Sequence, residues 1–159
     1  MVDQWEHKVD EFKSLGLKIS KVRIGLVLSE KGGALPEMLK PIKLGAGAAF
    51  GNGTQWQSWI HIEDLAGIFL HILENTLEGT FNGVAPNPVT NEDLTKLVAK
   101  TLDKPLILPN IPEFMMKLVL GEMHILLFES QRVCSRKIEK NGFDFKYSNL
   151  QPALDDLLV

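Results

Sequence analysis

The chain has 159 residues, of which 45% are apolar and 23% are charged, and its formal net charge is −3. These values are typical of one globular domain with a hydrophobic core, and the mild acidity argues against nucleic acid or an anionic membrane surface as a partner. The first residues lack the pattern of a secretory signal, and no apolar run approaches the ~18 residues that span a bilayer. We therefore expect a cytoplasmic protein, and the single cysteine, Cys134, which cannot form an internal disulfide, agrees with a reducing compartment.

The N-terminal part of the chain predicts a helix, a strand and a second helix. Four apolar residues recur at helical spacing, namely Trp5, Val9, Phe12 and Leu15. Gly16 follows them, where a helix C-cap often needs a left-handed residue. Residues 19–28 are rich in Val, Ile and Leu over a length suited to a buried parallel strand. Residues 34–44 favour a short helix that Pro41 should kink or end.

The middle of the chain continues the alternation of strands and helices. Residues 59–62 have the pattern of a short strand, and Asp64 is placed to act as the N-cap of the helix that follows. Residues 79–85 predict another strand, and Thr90 with Asp93 forms a capping-box-like start for the next helix. This order of elements predicts the α/β fold class.

A cluster of prolines separates this part from a helical C-terminal part. Pro105, Pro109 and Pro112 mark a linker-like segment. We therefore predict one domain over residues 1–104 and a small, mostly helical subdomain over residues 105–159. Three helices are predicted in the subdomain, over residues 114–128, over residues 130–140, and from Ser148 to the C-terminus.

Several short stretches, taken in their order and spacing, resemble one protein family. They are residues 23–28, 32–35, 59–66, 82–91, 120–123, 130–133 and 142–145. The chain is similar to the C-terminal half of an extended short-chain dehydrogenase/reductase. It most resembles the sugar-nucleotide-epimerase-like branch, whose members carry a small C-terminal domain of unknown function and are sometimes labelled cell-division inhibitors.

The resemblance implies the C-terminal part of a Rossmann-like doubly wound fold together with the helical subdomain. Such proteins begin with a Gly-rich turn that holds the dinucleotide pyrophosphate, and they later carry a Tyr-x-x-x-Lys pair that moves a proton. Neither feature is in this sequence. The glycine-rich residues 45–53 do not replace the missing turn, because they lead into another turn instead of opening a helix. We expect these residues to form a loop that lines the substrate side.

By the same resemblance, four residues are expected to form the nicotinamide-side wall of the cofactor site: Arg23, Gly25, Leu26 and Val27. Gly25 would allow the cofactor to approach closely, and Arg23 would brace the wall. The alternative for Arg23 is a structural salt bridge, to Glu63 or Asp64, because a buried guanidinium is costly without an anion.

Gln55, Trp56 and His61 are the substrate-side candidates. Amide groups and aromatic faces are suited to hydrogen-bonding and stacking on a sugar or base. His61 precedes two carboxylates and is a candidate for proton transfer, although its alternative role is to fix the turn from strand to helix. Trp59 is expected in the core. We assign no catalytic residue and no metal ligand, since the four histidines and Cys134 lack zinc-site spacing.

These observations lead to one main hypothesis and two alternatives. The main hypothesis is the C-terminal portion of an NAD(P)-dependent nucleotide-sugar epimerase or reductase-like protein, inactive alone and completed by the missing N-terminal half or a homo-oligomer. NADP or NAD would bind the full-length protein, and neither would bind this chain tightly by itself. The alternatives are a non-enzymatic regulatory module of the cell-division-inhibitor type and a small-ligand binding protein that uses the Trp56 loop.

Overall fold

The computed structural model describes residues 2–112, 114 and 130–159, so all but the first residue of the helix predicted over 114–128 lies outside the described residues. The helices are α1 (Val2–Glu11), α2 (Ala34–Lys43), α3 (Ile62–Glu74), α4 (Asn91–Thr101), α5 (Arg136–Lys140) and α6 (Leu150–Leu158). The strands are β1 (Ser20–Ile24), β2 (Leu26–Leu28), β3 (Trp56–Gln57), β4 (Trp59–His61), β5 (Gly79–Gly83) and β6 (Val89–Thr90). The predicted α/β class is confirmed.

The strand predicted over residues 19–28 is divided at Gly25. Before this residue β1 pairs in parallel with β5, and after it β2 pairs in parallel with β4. The Gly25 N–H donates to the Gly83 carbonyl (3.1 Å), whereas the next N–H, that of Leu26, donates to the Ser58 carbonyl (2.9 Å). The chain therefore exchanges one neighbouring strand for another within two residues.

Two hydrophobic clusters pack against the strands. The first joins α2, α4 and α6 with Leu28 and Trp59, and the second joins α3 and α5 with Ile60 and Phe81. Trp59 is fully buried, which is the core position expected for it. Because α6 and α4 share the first cluster, the C-terminal helix packs on the middle of the chain. The division at residues 104 and 105 stays a prediction.

The sequence signals for helix ends are confirmed in part. Gly16 adopts the predicted left-handed conformation, with φ 76°, and the Thr90 hydroxyl caps α4 by accepting from the Asp93 N–H (3.1 Å). The C-terminal helices begin later than predicted. Residues 130–135 are irregular and α5 starts at Arg136, while α6 starts at Leu150 with no side-chain cap from Asn149.

The start of α3 corrects another prediction. His61, and not Asp64, is the N-cap, because its Nδ1 accepts the Glu63 N–H (3.2 Å). Asp64 is buried in the first turn, and its carboxylate accepts the backbone N–H groups of Lys146 (2.8 Å) and Tyr147 (2.9 Å). This carboxylate therefore fastens α3 to the chain segment that leads into α6.

Helix α1 packs by its charged face instead of its apolar face. The Glu6 carboxylate pairs with Arg23 on β1 (2.7 Å), and the Asp10 carboxylate pairs with Lys21 on the same strand (2.9 Å). The apolar residues predicted to share one face are exposed, at 66%, 39%, 52% and 71% for Trp5, Val9, Phe12 and Leu15. Within the described residues, this apolar face lies against solvent.

The strand exchange predicts a strict need for glycine at position 25. In Gly25→Ala the new Cβ would lie 2.1 Å from the Ser58 carbonyl oxygen and 2.7 Å from Val84 Cγ1. We expect the free energy of unfolding, measured by urea denaturation, to fall by at least about 1–3 kcal/mol. The control is Gly32→Ala, where nothing lies within 4 Å of an added Cβ and stability should stay equal or rise slightly. Equal stability of both variants would contradict the prediction.

Candidate functional site

A cavity of about 740 Å³ lies where β1 and β5 end. Its wall is formed by residues 23–26, residues 56–58, Asn82 with Val84, and residues 131–134. In open α/β sheets, ligands bind outside the carboxyl ends of the strands. The cavity therefore occupies the place where a ligand is expected in this fold.

Residues 131–134 cross the cavity and are fastened to the strand ends by hydrogen bonds. The Ser58 hydroxyl donates to the Gln131 carbonyl (2.7 Å) and accepts the Val133 N–H (2.9 Å). The Asn82 side-chain amide donates to the Cys134 carbonyl (2.9 Å). Sequence reasoning gave these residues no place in a site, although two of the stretches that carry the family resemblance contain Asn82 and residues 131–133.

Two arginines, Arg23 and Arg132, line the cavity, and no acidic residue is among the described lining residues. The Glu6 carboxylate balances the charge of Arg23, so Arg132 brings the positive charge to the wall. The Arg132 guanidinium lies 4.5 Å from the ring centroid of Trp56, within the range of a cation–π contact. The backbone N–H of Trp56 donates to the Ser130 hydroxyl (3.0 Å), which fixes the backbone beside the ring. This wall is suited to an anionic ligand with a planar group.

Arg23 has a different partner from the ones predicted for its salt bridge. Its side chain is 57% exposed, and its Nε and one terminal nitrogen donate to the two Glu6 carboxylate oxygens at 2.7 and 2.8 Å. This pair lowers the pKa of Glu6. The expected contact with Glu63 or Asp64 is wrong, because those carboxylates begin α3 and are held by Lys146 and its neighbour.

The structure brings three of the four predicted cofactor-side residues to the cavity. Arg23, Gly25 and Leu26 line it, whereas Val27 packs instead against the cluster around α3. The space that Gly25 leaves free is filled by the Ser58 carbonyl. Close approach of a ligand is therefore not the reason for glycine here, since protein backbone already occupies that space.

Trp56 reaches the cavity, and the other two substrate-side candidates lie elsewhere. Gln55 is buried, and its side-chain amide donates to the Phe50 carbonyl (3.0 Å), which anchors the glycine-rich loop. His61 is also buried, at the start of α3. Neither Gln55 nor His61 is among the described residues that line this cavity.

His61 occupies a structural junction. Besides accepting the Glu63 N–H, its ring lies 4.0 Å from the Tyr147 ring, and its Nε2 lies 3.4 Å from Asp156 Oδ2. Burial lowers the pKa of His61, although Asp156, Glu63 and Asp64 oppose this effect. The expected turn-fixing role agrees with these contacts, and the histidine-carboxylate pair lies away from the cavity.

The described residues form neither a metal site nor a membrane-spanning helix. In the part of the chain that the structure describes, no three His, Cys, Asp or Glu side chains are grouped to hold a metal ion. The described helices include none with the length and apolar character needed to cross a membrane. Cys134 is an exposed free thiol at the cavity wall.

Parallel strand pairs between two layers of helices, with a cavity at the strand ends, define a Rossmann-like α/β protein. Solved structures agree with this class. The human epimerase family protein SDR39U1 (isoform 2), crystallised with NADPH, superimposes with a TM-score of 0.82 and 37% identity over 88% of this chain and 48% of that chain. A nucleoside-diphosphate sugar epimerase from Corynebacterium glutamicum gives a TM-score of 0.73 and 32% identity over 97% of this chain and 29% of that chain.

Sequence comparisons show which families the two segments of the chain resemble. Residues 11–83 match the NAD dependent epimerase/dehydratase family, and residues 111–157 match a domain of unknown function, DUF1731. The epimerase family protein SERP0438 of Staphylococcus epidermidis is 40% identical over 99% of this chain and 53% of its own length. The chain is therefore similar to these two families over separate segments, and it spans about half the length of the curated relatives it matches.

The buried His61 predicts a pH dependence of stability. The unfolded chain takes up a proton near the usual histidine pKa of about 6.5, whereas the folded protein resists protonation to lower pH. His61 therefore contributes stability above this pH that is lost as the pH falls. His61→Asn keeps an N-cap acceptor, and its free energy of unfolding should decrease less than that of the wild type from about pH 7.5 to about pH 5.5.

The matched control replaces a histidine outside this junction. His7 is exposed on α1, and His7→Asn should keep the wild-type pH dependence. Identical slopes for the wild type and His61→Asn in urea denaturation at each pH would disprove the assignment.

Proposed function

We propose that this chain is the C-terminal portion of an NAD(P)-dependent epimerase or reductase-like protein and supplies the nicotinamide-side wall and the substrate cover. One observation carries the proposal. Arg23, Leu26 and Trp56, which the family resemblance and the sequence selected separately, line one cavity that residues 131–134 cover. Residues 1–104 would provide the wall, and residues 105–159 the cover.

The lining residues fit one side of a nicotinamide nucleotide. Leu26 and Val84 offer apolar surface to a ring, Trp56 offers an aromatic face, and Arg132 brings positive charge. When bound, the nicotinamide supplies or accepts a hydride. The role of this chain's own residues is to bind and orient that side of the cofactor and to keep water from it.

The sequence contains neither the Gly-rich turn that binds the cofactor's pyrophosphate nor the Tyr-x-x-x-Lys pair that moves a proton. The glycine-rich residues 45–53 do not open a helix, and the single tyrosine, Tyr147, is followed four positions later by Gln151 instead of lysine. Orientation of the cofactor and general acid–base help each commonly contribute several kcal/mol to catalysis. We therefore propose that a further segment supplies the phosphate cradle and the proton donor, and that the chain is inactive alone.

Exposed apolar surface supports the existence of such a segment. Trp5 on α1 and Phe12 directly after it are exposed, and Ile24 at the end of β1 is 52% exposed. Within the described residues, β1 pairs with β5 alone. A strand with a free edge beside an apolar patch is a surface that proteins normally cover. The missing N-terminal half or a second copy of the chain would cover it.

The substrate that we propose is based on the similar solved structures. The Corynebacterium glutamicum structure is described as a nucleoside-diphosphate sugar epimerase, and a positively charged cavity wall suits the phosphates of such a compound. We propose a nucleotide-sugar-like carbonyl compound as the substrate in the full-length protein, with NADP or NAD as the cofactor.

Titration with NADPH, followed by nicotinamide fluorescence, tests the proposal. The chain alone should bind no more tightly than about 1 mM. Addition of the portion of the Staphylococcus epidermidis relative that this chain does not span should restore tight, saturable binding. In that complex, Arg132→Gln should weaken binding about tenfold through loss of a charged contact, whereas Arg136→Gln, an exposed change on α5 outside the cavity, should not.

Two results would contradict the proposal. Tight stoichiometric binding of NADPH by the isolated chain would show that no further segment is needed. Equal affinities of the Arg132→Gln and Arg136→Gln complexes would show that the cavity wall does not contact the cofactor.

A non-enzymatic regulatory or interaction module, of the cell-division-inhibitor type, is the second candidate. The exposed apolar face of α1 favours it, because such a face is also suited to a protein partner. Size-exclusion chromatography with light scattering distinguishes the two functions. A stable monomer or defined oligomer of the isolated chain is expected for a module, whereas aggregation relieved by Phe12→Glu is expected for a severed half of a larger fold.

A further inference from the structure

The sequence contains three Asn-Gly pairs, at residues 52–53, 82–83 and 141–142. In such a pair the backbone nitrogen of glycine can attack the side-chain Cγ of asparagine, because glycine has no side chain to hinder the approach. A bond forms between this nitrogen and Cγ, the Cγ–Nδ2 bond breaks, and ammonia leaves. The succinimide ring then takes up water and opens to aspartate or isoaspartate. The surroundings of each pair decide whether it can react.

Two of the pairs are held inside the fold. Gly83 is buried in β5, which pairs with β1 along its length. Gly53 is also buried, and its N–H donates to the Phe50 carbonyl (2.9 Å). The neighbouring Asn52 Oδ1 accepts both the N–H (3.1 Å) and the hydroxyl (2.8 Å) of Thr54. Cyclisation at either pair would require these buried contacts to break.

The third pair lies at the surface. Asn141 and Gly142 are both exposed and directly follow α5, a helix of five residues. Gly142 has φ 87°, and nothing lies within 4 Å of the place that a Cβ would take. Its N–H donates to the Glu139 carbonyl (2.9 Å), a bond that water can replace when the last turn of the helix opens. This pair therefore has the freedom that cyclisation needs.

A histidine ring contacts the same pair. His71 Nε2 lies 2.9 Å from the Asn141 carbonyl oxygen, and His71 Nδ1 lies 3.2 Å from the side-chain nitrogen of Asn75. A carbonyl oxygen only accepts hydrogen bonds and an amide nitrogen only donates them. In the neutral ring Nδ1 is thus the acceptor, and Nε2 carries the proton and donates to Asn141. Both contacts select one tautomer.

The position of this hydrogen bond matters for the reaction. The Asn141 carbonyl and the Gly142 N–H belong to one peptide group, and resonance spreads charge between its nitrogen and its oxygen. When the attacking nitrogen loses its proton, the carbonyl oxygen carries part of the negative charge. A donor aimed at that oxygen stabilises this charge, as the donors of an oxyanion hole do. The His71 Nε2–H is such a donor.

From these contacts we propose that Asn141 is a site of spontaneous deamidation and that His71 promotes the reaction. The inference is independent of the proposed cofactor role. The reaction would also change the end of α5, because the Asn141 amide donates to the Lys137 carbonyl (2.7 Å) and a carboxylate cannot. Negative charge is unfavourable at a helix C-terminus. Lys137 in turn donates to the Thr80 carbonyl of β5 (2.8 Å), so the modification would loosen α5 from the sheet.

Mass spectrometry of the incubated chain tests the site. Trypsin cleaves after Lys140 and Lys146 and releases residues 141–146 as one peptide. After incubation in warm, mildly alkaline buffer, we expect Asn141 to convert at least about tenfold faster than Asn52 or Asn82. Isoaspartate should be among the products, and a sample digested without incubation gives the background. Equal rates at the three asparagines would overturn the site.

A pair of variants tests the role of the histidine. His71→Leu removes the donor, and deamidation of Asn141 should slow about three- to tenfold. His71→Gln can still donate from its side-chain amide and should keep most of the wild-type rate. If His71 only fastened the turn, its loss would free the turn and speed the reaction. An unchanged or faster rate in His71→Leu, shown to be folded by circular dichroism, would overturn the role.

Unfolded chains provide the control for the variants. In concentrated urea the wild type, His71→Leu and His71→Gln should deamidate at the same rate, because the contact with Asn141 exists only in the folded protein. A rate difference that persists in urea would contradict the assignment. Asn141→Asp represents the main-chain product, and its urea midpoint should be lower than that of the wild type. Equal midpoints would show that the modification does not loosen α5.

Discussion

Strands β1 and β2 follow each other directly in the chain but pair with different strands, and this change depends on the contact between Gly25 and the Ser58 carbonyl. At Gly25 the Ser58 carbonyl occupies the space of a side chain, so β4 enters between β2 and the end of β5. There the Ala85 N–H donates to the Trp59 carbonyl (2.7 Å). This entry separates the chain beyond β1 from the chain beyond β5, and the cavity lies at that separation. The contact that requires glycine therefore also shapes the candidate site.

Ser58 connects the two parts of the chain that the family comparisons distinguish. Its carbonyl accepts the Leu26 N–H, and its hydroxyl bonds to the backbone of Gln131 and Val133. Residues 11–83 match one family and residues 111–157 match another, and this serine bonds to both within one side of the cavity. A shift of residues 131–133 would thus affect the start of β2, because Ser58 bonds to both.

Local sequence signals predicted local structure well, and long-range partners less well. The left-handed Gly16 and the Thr90 cap depend on residues close in sequence, so their patterns were sufficient. The partner of Arg23 is 17 positions away on α1, and the choice between Glu6 and the carboxylates of α3 depends on how the helices pack. His61 displaced Asp64 as the cap for the same reason, since Asp64 is held by residues more than 80 positions later. The family resemblance placed Arg23, Gly25 and Leu26 at the cavity, and the residue type alone suggested Trp56. The role expected for Gly25 was wrong, because the Ser58 carbonyl fills the space beside it.

One face of α1 forms ion pairs with β1 and the other is apolar and exposed. This contrast indicates that α1 has neighbours beyond the described residues. A helix of 10 residues is marginal in water without tertiary packing. The pairs of Glu6 with Arg23 and of Asp10 with Lys21 hold α1 against β1 and leave its apolar face exposed. Burial of Trp5 and Phe12 would add about 1.5–3 kcal/mol for each side chain. A covering segment would gain this energy and would bring its own residues to the end of β1, beside the cavity that Arg23 lines.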